Sequence, residues 1–224
     1  MKLRGGFLGG FLFIMPLIGG IAAPASNPKL LAHFVTTDTP EAAEIQRIGE
    51  QAINYLANVM IREVTQAMAN AGPEAAVDIC HLKALTITKG AIAGLPRITA
   101  IKRTSLKLRN PANAPDEAEL LVLTYIQQQL EDGEPLAGTL IQQIESPSAA
   151  PEWRVYKPLG VMLKCLVCHG DPAEQSPALR TKLNSLYPAD QAAGYHAGEW
   201  RGVIRVTVAA ASIKPPTAKL PAHR

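Results

Sequence analysis

Two of the chain's three cysteines fall in one short stretch, KCLVCHGDP at positions 164–172, and a histidine directly follows the second. Cys165, Cys168 and His169 constrain the architecture more than any other feature, because whatever uses them must be built around a single turn of chain. The third cysteine, Cys80 in VDICHLK, lies far upstream. It either joins the other two in space or stands apart from them.

The N-terminus decides how these thiols read. Lys2 and Arg4 precede an uncharged, mostly apolar run from Gly5 to Gly20, and Ala23-Pro24-Ala25 is a small-residue site. A positive start, an apolar core and an A-x-A end make a secretory signal peptide over residues 1–25. The glycines and Pro16 make this run a poor spanning helix. No second long apolar run follows, so we expect a mature chain that is periplasmic or otherwise secreted, with no membrane contact after cleavage. Of the formal net charge of +3, two positives are Lys2 and Arg4, which leaves +1 for the rest. That balance gives no reason to expect a nucleic-acid partner.

In an oxidising compartment, Cys-x-x-Cys-His reads as the attachment sequence of c-type haem. Two thiols add across the two vinyl groups on one porphyrin edge, so they must lie a turn apart. The next residue then lies under the iron, where a neutral imidazole is a strong axial ligand. The covalent bonds also consume both thiols. A thioredoxin-like redox pair needs no following histidine and wants a strand-to-helix context, where we read a loop. Zinc would need Cys80 as a fourth ligand, and adjacent Cys168 and His169 can rarely both face one tetrahedral ion. A structural disulfide is the remaining alternative. We carry forward one haem c, held covalently by Cys165 and Cys168, with His169 on the iron.

Organisation along the chain follows from local signals. Residues 26–38 read as an irregular lead-in. Thr39 is a good N-cap and Pro40 a good first residue for a long helix, in which Ile45, Ile48, Ala52, Leu56, Val59, Met60, Val64 and Met68 recur at helical spacing. The methionines in that stripe read as core packing. Gly72-Pro73 closes this helix and opens a second, ended by Gly90. An alternating, β-branched run from Leu95 to Leu108 reads as a strand, and RNPANAPDE as a turn. DEAELLVLTYIQQQLED is a third helix ended at Gly133, and SPSAAP a surface loop. EWRVYKPLGV is a strand leading to the cysteines, SPALRTKLNSLYP a helix capped by Ser176, and EWRGVIRVTVAA a closing strand. We expect residues 212–224 to be a disordered tail. The order implies an α+β domain over 39–211.

One haem needs far less protein than this, and its second axial position needs a ligand. Cys80, His81, Met60, Met68, Met162, His196 and an open site are the candidates. Val77, Cys80, His81 and Ala84 share one helix face, so periodicity does not separate Cys80 from His81.

Three segments in order, KRTSLKLRNPANAPDEAE, VYKPLGVMLKCLVCHG and LYPADQAAGYHAGEWRGVIRV, resemble a bacterial domain of unknown function that binds c-type haem. That family occurs as the extracytoplasmic part of sensor histidine kinases and as a free-standing secreted protein. The resemblance covers roughly residues 40 to 210. It implies a PAS-like antiparallel sheet flanked by helices, a long N-terminal helix and His/Cys axial ligation, which puts Cys80 opposite His169. It implies a redox or small-ligand sensor. The alternative is a periplasmic electron-transfer cytochrome. Since no kinase or other output domain is read here, we expect a separate redox or signalling protein partner. An enzyme such as a peroxidase would need an open iron face and a placed acid–base group; His81 and His196 are available, but neither lies in a recognisable catalytic motif. We therefore expect no enzymatic role beyond weak peroxidase-like activity. Arg103 and Arg109 are cations that could meet haem propionates, and Asn110 and Asn113 read as turn-fixing residues.

Overall fold

The computed structural model describes residues 31–80, 95, 97–146 and 149–210. The signal-peptide expectation (1–25), the tail (212–224), His81 and the end of the second helix at Gly90 all lie outside the described residues. The domain is α+β. Among the described residues, five strands are present: β1 (Leu31–Val35), β2 (Ile98–Thr104), β3 (Leu140–Ser146), β4 (Ala149–Gly160) and β5 (Trp200–Val208). They form one antiparallel sheet in the order β1-β3-β4-β5-β2. The helices are α1 (Pro40–Asp78), α2 (Glu117–Glu131), the single turn α3 (Leu166–His169) and α4 (Pro177–Leu186). No described helix is long and apolar enough to cross a membrane.

Helix α1 starts where the sequence places it. The Thr39 hydroxyl accepts from Ala42 N at 3.1 Å, and Pro40 follows at the first helical position. The helix breaks at Ala71 (φ −146°) and Gly72 (φ +82°), and Pro73 restarts it. Its N-terminal part lays Ala42, Ile45, Ala52, Ile53 and Leu56 on one sheet face, against Ile141, Trp153, Val155, Ile204, Val206 and Val208. Each large aliphatic side chain so buried contributes on the order of 1.5–3 kcal/mol.

The other face carries α2, which buries Val122, Leu123 and Ile126 against Tyr156 and Val203. Asp116 and Glu119 close a capping box at its start. Glu119 is fully buried. It accepts from Lys102 Nζ at 2.6 Å and Arg205 Nε at 2.9 Å, tying α2 to the sheet through charge. With α1 on one face and α2 on the other, β5 from Gly202 to Val208 is buried continuously, although Arg205 and Thr207 interrupt its apolar run.

Some expectations need correction. The lead-in of residues 26–38 contains an edge strand, β1, which pairs with β3 from Leu31↔Glu145 to Val35↔Ile141. Strand β3 itself is absent from the sequence reading. The SPSAAP loop is shorter than expected, since β4 already begins at Ala149. The strand read over Leu95–Leu108 stops at Thr104, because Ser105 Oγ accepts from Lys107 N and donates to Lys107 O, making a tight turn.

Candidate functional site

A cavity of about 320 Å³ opens between the far half of α1, one end of the sheet, α3 and α4. Cys80, Cys165, Cys168 and His169 all line it. The three thiols are free and half-buried. Chain segments distant in sequence are thus brought to one space, with Cys80 arriving from the stretch beyond the α1 break.

Cys165 ends a 3₁₀ turn, Leu163–Cys165, that runs directly into α3, so Cys168 and His169 follow within one turn of helix. The loop from Ala192 to Tyr195 holds this turn in place. Gly194 N donates to Gly170 O and Tyr195 N to His169 O, both at 2.9 Å. His169 Nδ1 donates to Ala192 O at 2.7 Å. That bond fixes the ring and leaves Nε2 as the nitrogen available to a metal. Burial, with the positive charges of Arg109 and Arg201 nearby, lowers the imidazole to about 3. The ring is therefore neutral at physiological pH, as an axial ligand must be. Burial also pushes the Cys168 thiol up.

Arg109 clamps the same turn. Its Nη2 donates to Cys168 O at 2.6 Å and to Ala192 O at 3.1 Å, while Nε pairs with Asp190 at 2.8 Å. The guanidinium therefore serves the protein itself. Asn110 fixes a turn, accepting from Ala112 N at 3.0 Å, and Asn113 O accepts from Thr104 Oγ1 at 2.8 Å.

The structure also sorts the ligand candidates. Met60, Met68 and Met162 line the cavity with Cys80. The methionine stripe is therefore only partly core. Met60 joins the packing beneath the sheet and also faces the cavity, and Met68 is half-buried at its wall. His196 stands apart: its side chain is 85% exposed and its Nδ1 lies 3.3 Å from Glu199 Oε1. Among the described residues, no three His, Cys, Asp or Glu side chains are grouped to hold one ion. The zinc arrangement allowed by the spacing is not formed.

Sequence reasoning missed Ala192, Tyr195 and Arg201. Ala192 acts through its backbone carbonyl, which no side-chain pattern announces. Tyr195 is buried, with its ring edge-on to His169 at 6.3 Å. Arg201 lines the cavity from the start of β5. All three lie in the LYPADQAAGYHAGEWRG stretch, whose only signal was its resemblance to the haem-binding family.

The Tll0287-like family matches residues 36–209, most of the chain. The chain belongs to that family. The fold also matches the crystal structure of the cyanobacterial haem-protein Tll0287, with a TM-score of 0.50 and 21% sequence identity, over 76% of this chain and 96% of that one. No curated protein matches significantly. The match shows that this family member shares its fold with Tll0287. Independently of it, the residues present fit a haem. A fixed neutral imidazole, two thiols one turn apart and a third thiol share a predominantly apolar cavity whose wall carries arginines.

Proposed function

We propose that the protein is a periplasmic c-type haem protein that acts as a redox or small-ligand sensor. One haem would be attached through Cys165 and Cys168, with His169 and Cys80 as axial ligands. The observation that carries this reading is the convergence of all four residues on one cavity. The haem-protein nature of Tll0287, the signal-peptide pattern of residues 1–25 and the PAS-like resemblance of the antiparallel sheet support it.

When bound, the haem would supply a one-electron iron couple and a site for small diatomic ligands. The chain's own residues do the rest. Ala192 O holds the His169 ring, and Arg109 holds the turn that carries it. Cys80, as an anionic sulfur ligand, would favour the ferric state and lower the potential relative to a His/Met pair. Cys80 lies on a short segment that restarts at Pro73 after the α1 break and docks on α4. Val77 packs with Leu179, Leu183 and Tyr187, Asp78 pairs with Lys182, and Glu74 accepts from Ser176. A weaker sulfur ligand in the reduced state would free this segment, giving the two-state element that a sensor needs.

The test is to make the protein with haem-maturation machinery and ask whether haem survives acid–acetone extraction. Low-temperature EPR of the ferric protein and of Cys80→Ala then decides the ligand. A low-spin thiolate-type signal lost in the variant supports His169/Cys80 ligation. A signal unchanged by the substitution removes Cys80 from the iron. If the ferrous protein keeps its sulfur and binds no carbon monoxide, the sensor reading fails.

Electron transfer is the second reading, favoured by one surface feature. Met162, Leu163 and Val167 are exposed beside Cys165, with Leu163 at 77%. An apolar patch at the attachment turn suits transient docking of a redox protein. Fast electron exchange with such a partner, the iron remaining six-coordinate in both states, would support it.

A further inference from the structure

Three arginines line the cavity, and they are not equivalent. Arg109 is committed to Asp190, Cys168 O and Ala192 O. Arg103 and Arg201 have no carboxylate partner among the described residues. Arg201 is nevertheless held in place. Its Nη1 donates to Ser105 Oγ at 2.7 Å and Lys107 O at 2.9 Å, and its guanidinium lies 5.5 Å from the centre of the Tyr195 ring. These anchors are all neutral, so they orient the charge without balancing it. Within this wall the three arginines face one acid, Asp190, which leaves two positive charges over. Lys107 and Lys164 are nearby but exposed to solvent. Burial and the positive charges of Arg109 and Arg103 lower the Arg201 guanidinium. Like charges gathered beside a low-dielectric cavity are costly without an anion. An oriented guanidinium also suits a planar carboxylate.

We propose that Arg201, assisted by Arg103, binds carboxylate groups of the molecule that fills the cavity. This rests on the haem reading, in which those groups are the two propionates, and two carboxylates would balance the two excess charges. The reading also reassigns a role. Arg109, a propionate candidate from the sequence, positions the attachment turn instead.

The test compares the holoprotein with R201Q and R201K, after a pyridine haemochrome assay establishes equal covalent haem content. Resonance Raman spectra should show the propionate bending mode shifted in R201Q and largely retained in R201K. The haem potential should fall in R201Q, since loss of a nearby positive charge disfavours the reduced state. A nearby charge alone could move the potential but not the bending mode, so an unchanged mode in haem-loaded R201Q overturns the assignment. Acetate added to the wild-type protein distinguishes the source of the anion. A saturable spectral shift that R201Q lacks would mean that Arg201 meets a dissolved anion, and would also overturn it. Should R201Q fail to accumulate, R103Q is read by the same mode instead: a shifted mode supports the joint assignment of Arg201 and Arg103, and an unchanged one overturns it. Failure of the haem reading itself would appear separately, as wild-type protein without covalently held haem.

Discussion

Arg109 Nη2 lies 2.6 Å from the carbonyl oxygen of Cys168, so a side chain from beyond β2 holds the backbone between two residues that line the cavity, Cys168 and His169. The same guanidinium reaches Ala192 O and the carboxylate of Asp190, and the latter pair is largely buried. Arg109→Leu would leave Asp190 buried without its partner and remove a donor from two carbonyls. We expect a loss of about 3 kcal/mol or more in urea denaturation. Arg109→Lys should recover only part of it, because one ammonium cannot reproduce a planar fork serving three acceptors. A loss below about 1 kcal/mol for the leucine variant would show that the clamp is dispensable.

Gly49 is set by the approach of α1 to the sheet. A Cβ built there would lie 2.5 Å from Val155 Cβ and Cγ2. Alanine would gain about 1 kcal/mol of helix propensity. Overpacking costs about 1–3 kcal/mol and outweighs that gain, since Val155 is fully buried in a central strand. Gly49→Ala should therefore melt at a lower temperature. Val155→Ala in the same chain should restore part of the loss, giving a favourable coupling in a double-mutant cycle. Additive losses would mean that the two residues do not collide.

Asp116 predicts a pH dependence. Burial would raise its carboxyl, but the Glu119 backbone N–H and the Arg154 guanidinium outweigh burial and hold it below the usual value of 3.8. A lowered folded value means that the ionised carboxylate stabilises the fold above that pH, and that this contribution disappears as pH falls through the folded value. The carboxylate is 44% exposed, so the contribution is at most about 1 kcal/mol. Asp116→Asn keeps a capping oxygen but loses the charge. Its deficit relative to wild type should shrink between pH 6 and pH 3 in chemical denaturation. A deficit constant across that range would refute the electrostatic origin.

Local signals were the legible ones. Thr39-Pro40 and Ser176-Pro177 each announce a helix start, and each stands where it was read; the helix read from Asp116 also starts there, closed by a capping box with Glu119 that the sequence reading did not name. Strand β3 was illegible because its middle is polar. Gln142 is buried, yet it accepts from Tyr156 Oη at 2.8 Å and donates to Ala118 O at 3.1 Å, bonds that depend on β4 and α2. Strand β1 is short and exposed, so its alternation carries little signal until β3 is there to pair with it. At the site, Cys165, Cys168 and His169 stood out because Cys-x-x-Cys-His is a motif defined by its spacing, and all three line the cavity. Arg201 was not, because an arginine in an alternating strand reads as solvated until the cavity at the sheet's end is known.

The last prediction concerns the break in α1. Gly72 has φ +82° and ψ 176°, a combination that costs any other residue about 1–3 kcal/mol. Pro73 reinforces the break, since the residue before a proline is disfavoured in the helical region. Gly72→Ala must strain the junction or pull the 73–80 segment away from α4. The segment's few attachments, Val77, Glu74–Ser176 and Asp78–Lys182, are weaker than the packing of the N-terminal part of α1 on the sheet. The segment should therefore yield first. Alkylation of Cys80 by iodoacetamide should be several-fold faster in haem-loaded Gly72→Ala than in wild type, with the sheet-facing core unchanged by circular dichroism. If the variant melts earlier but Cys80 reacts at the wild-type rate, the break is a structural corner and not the hinge on which Cys80 moves.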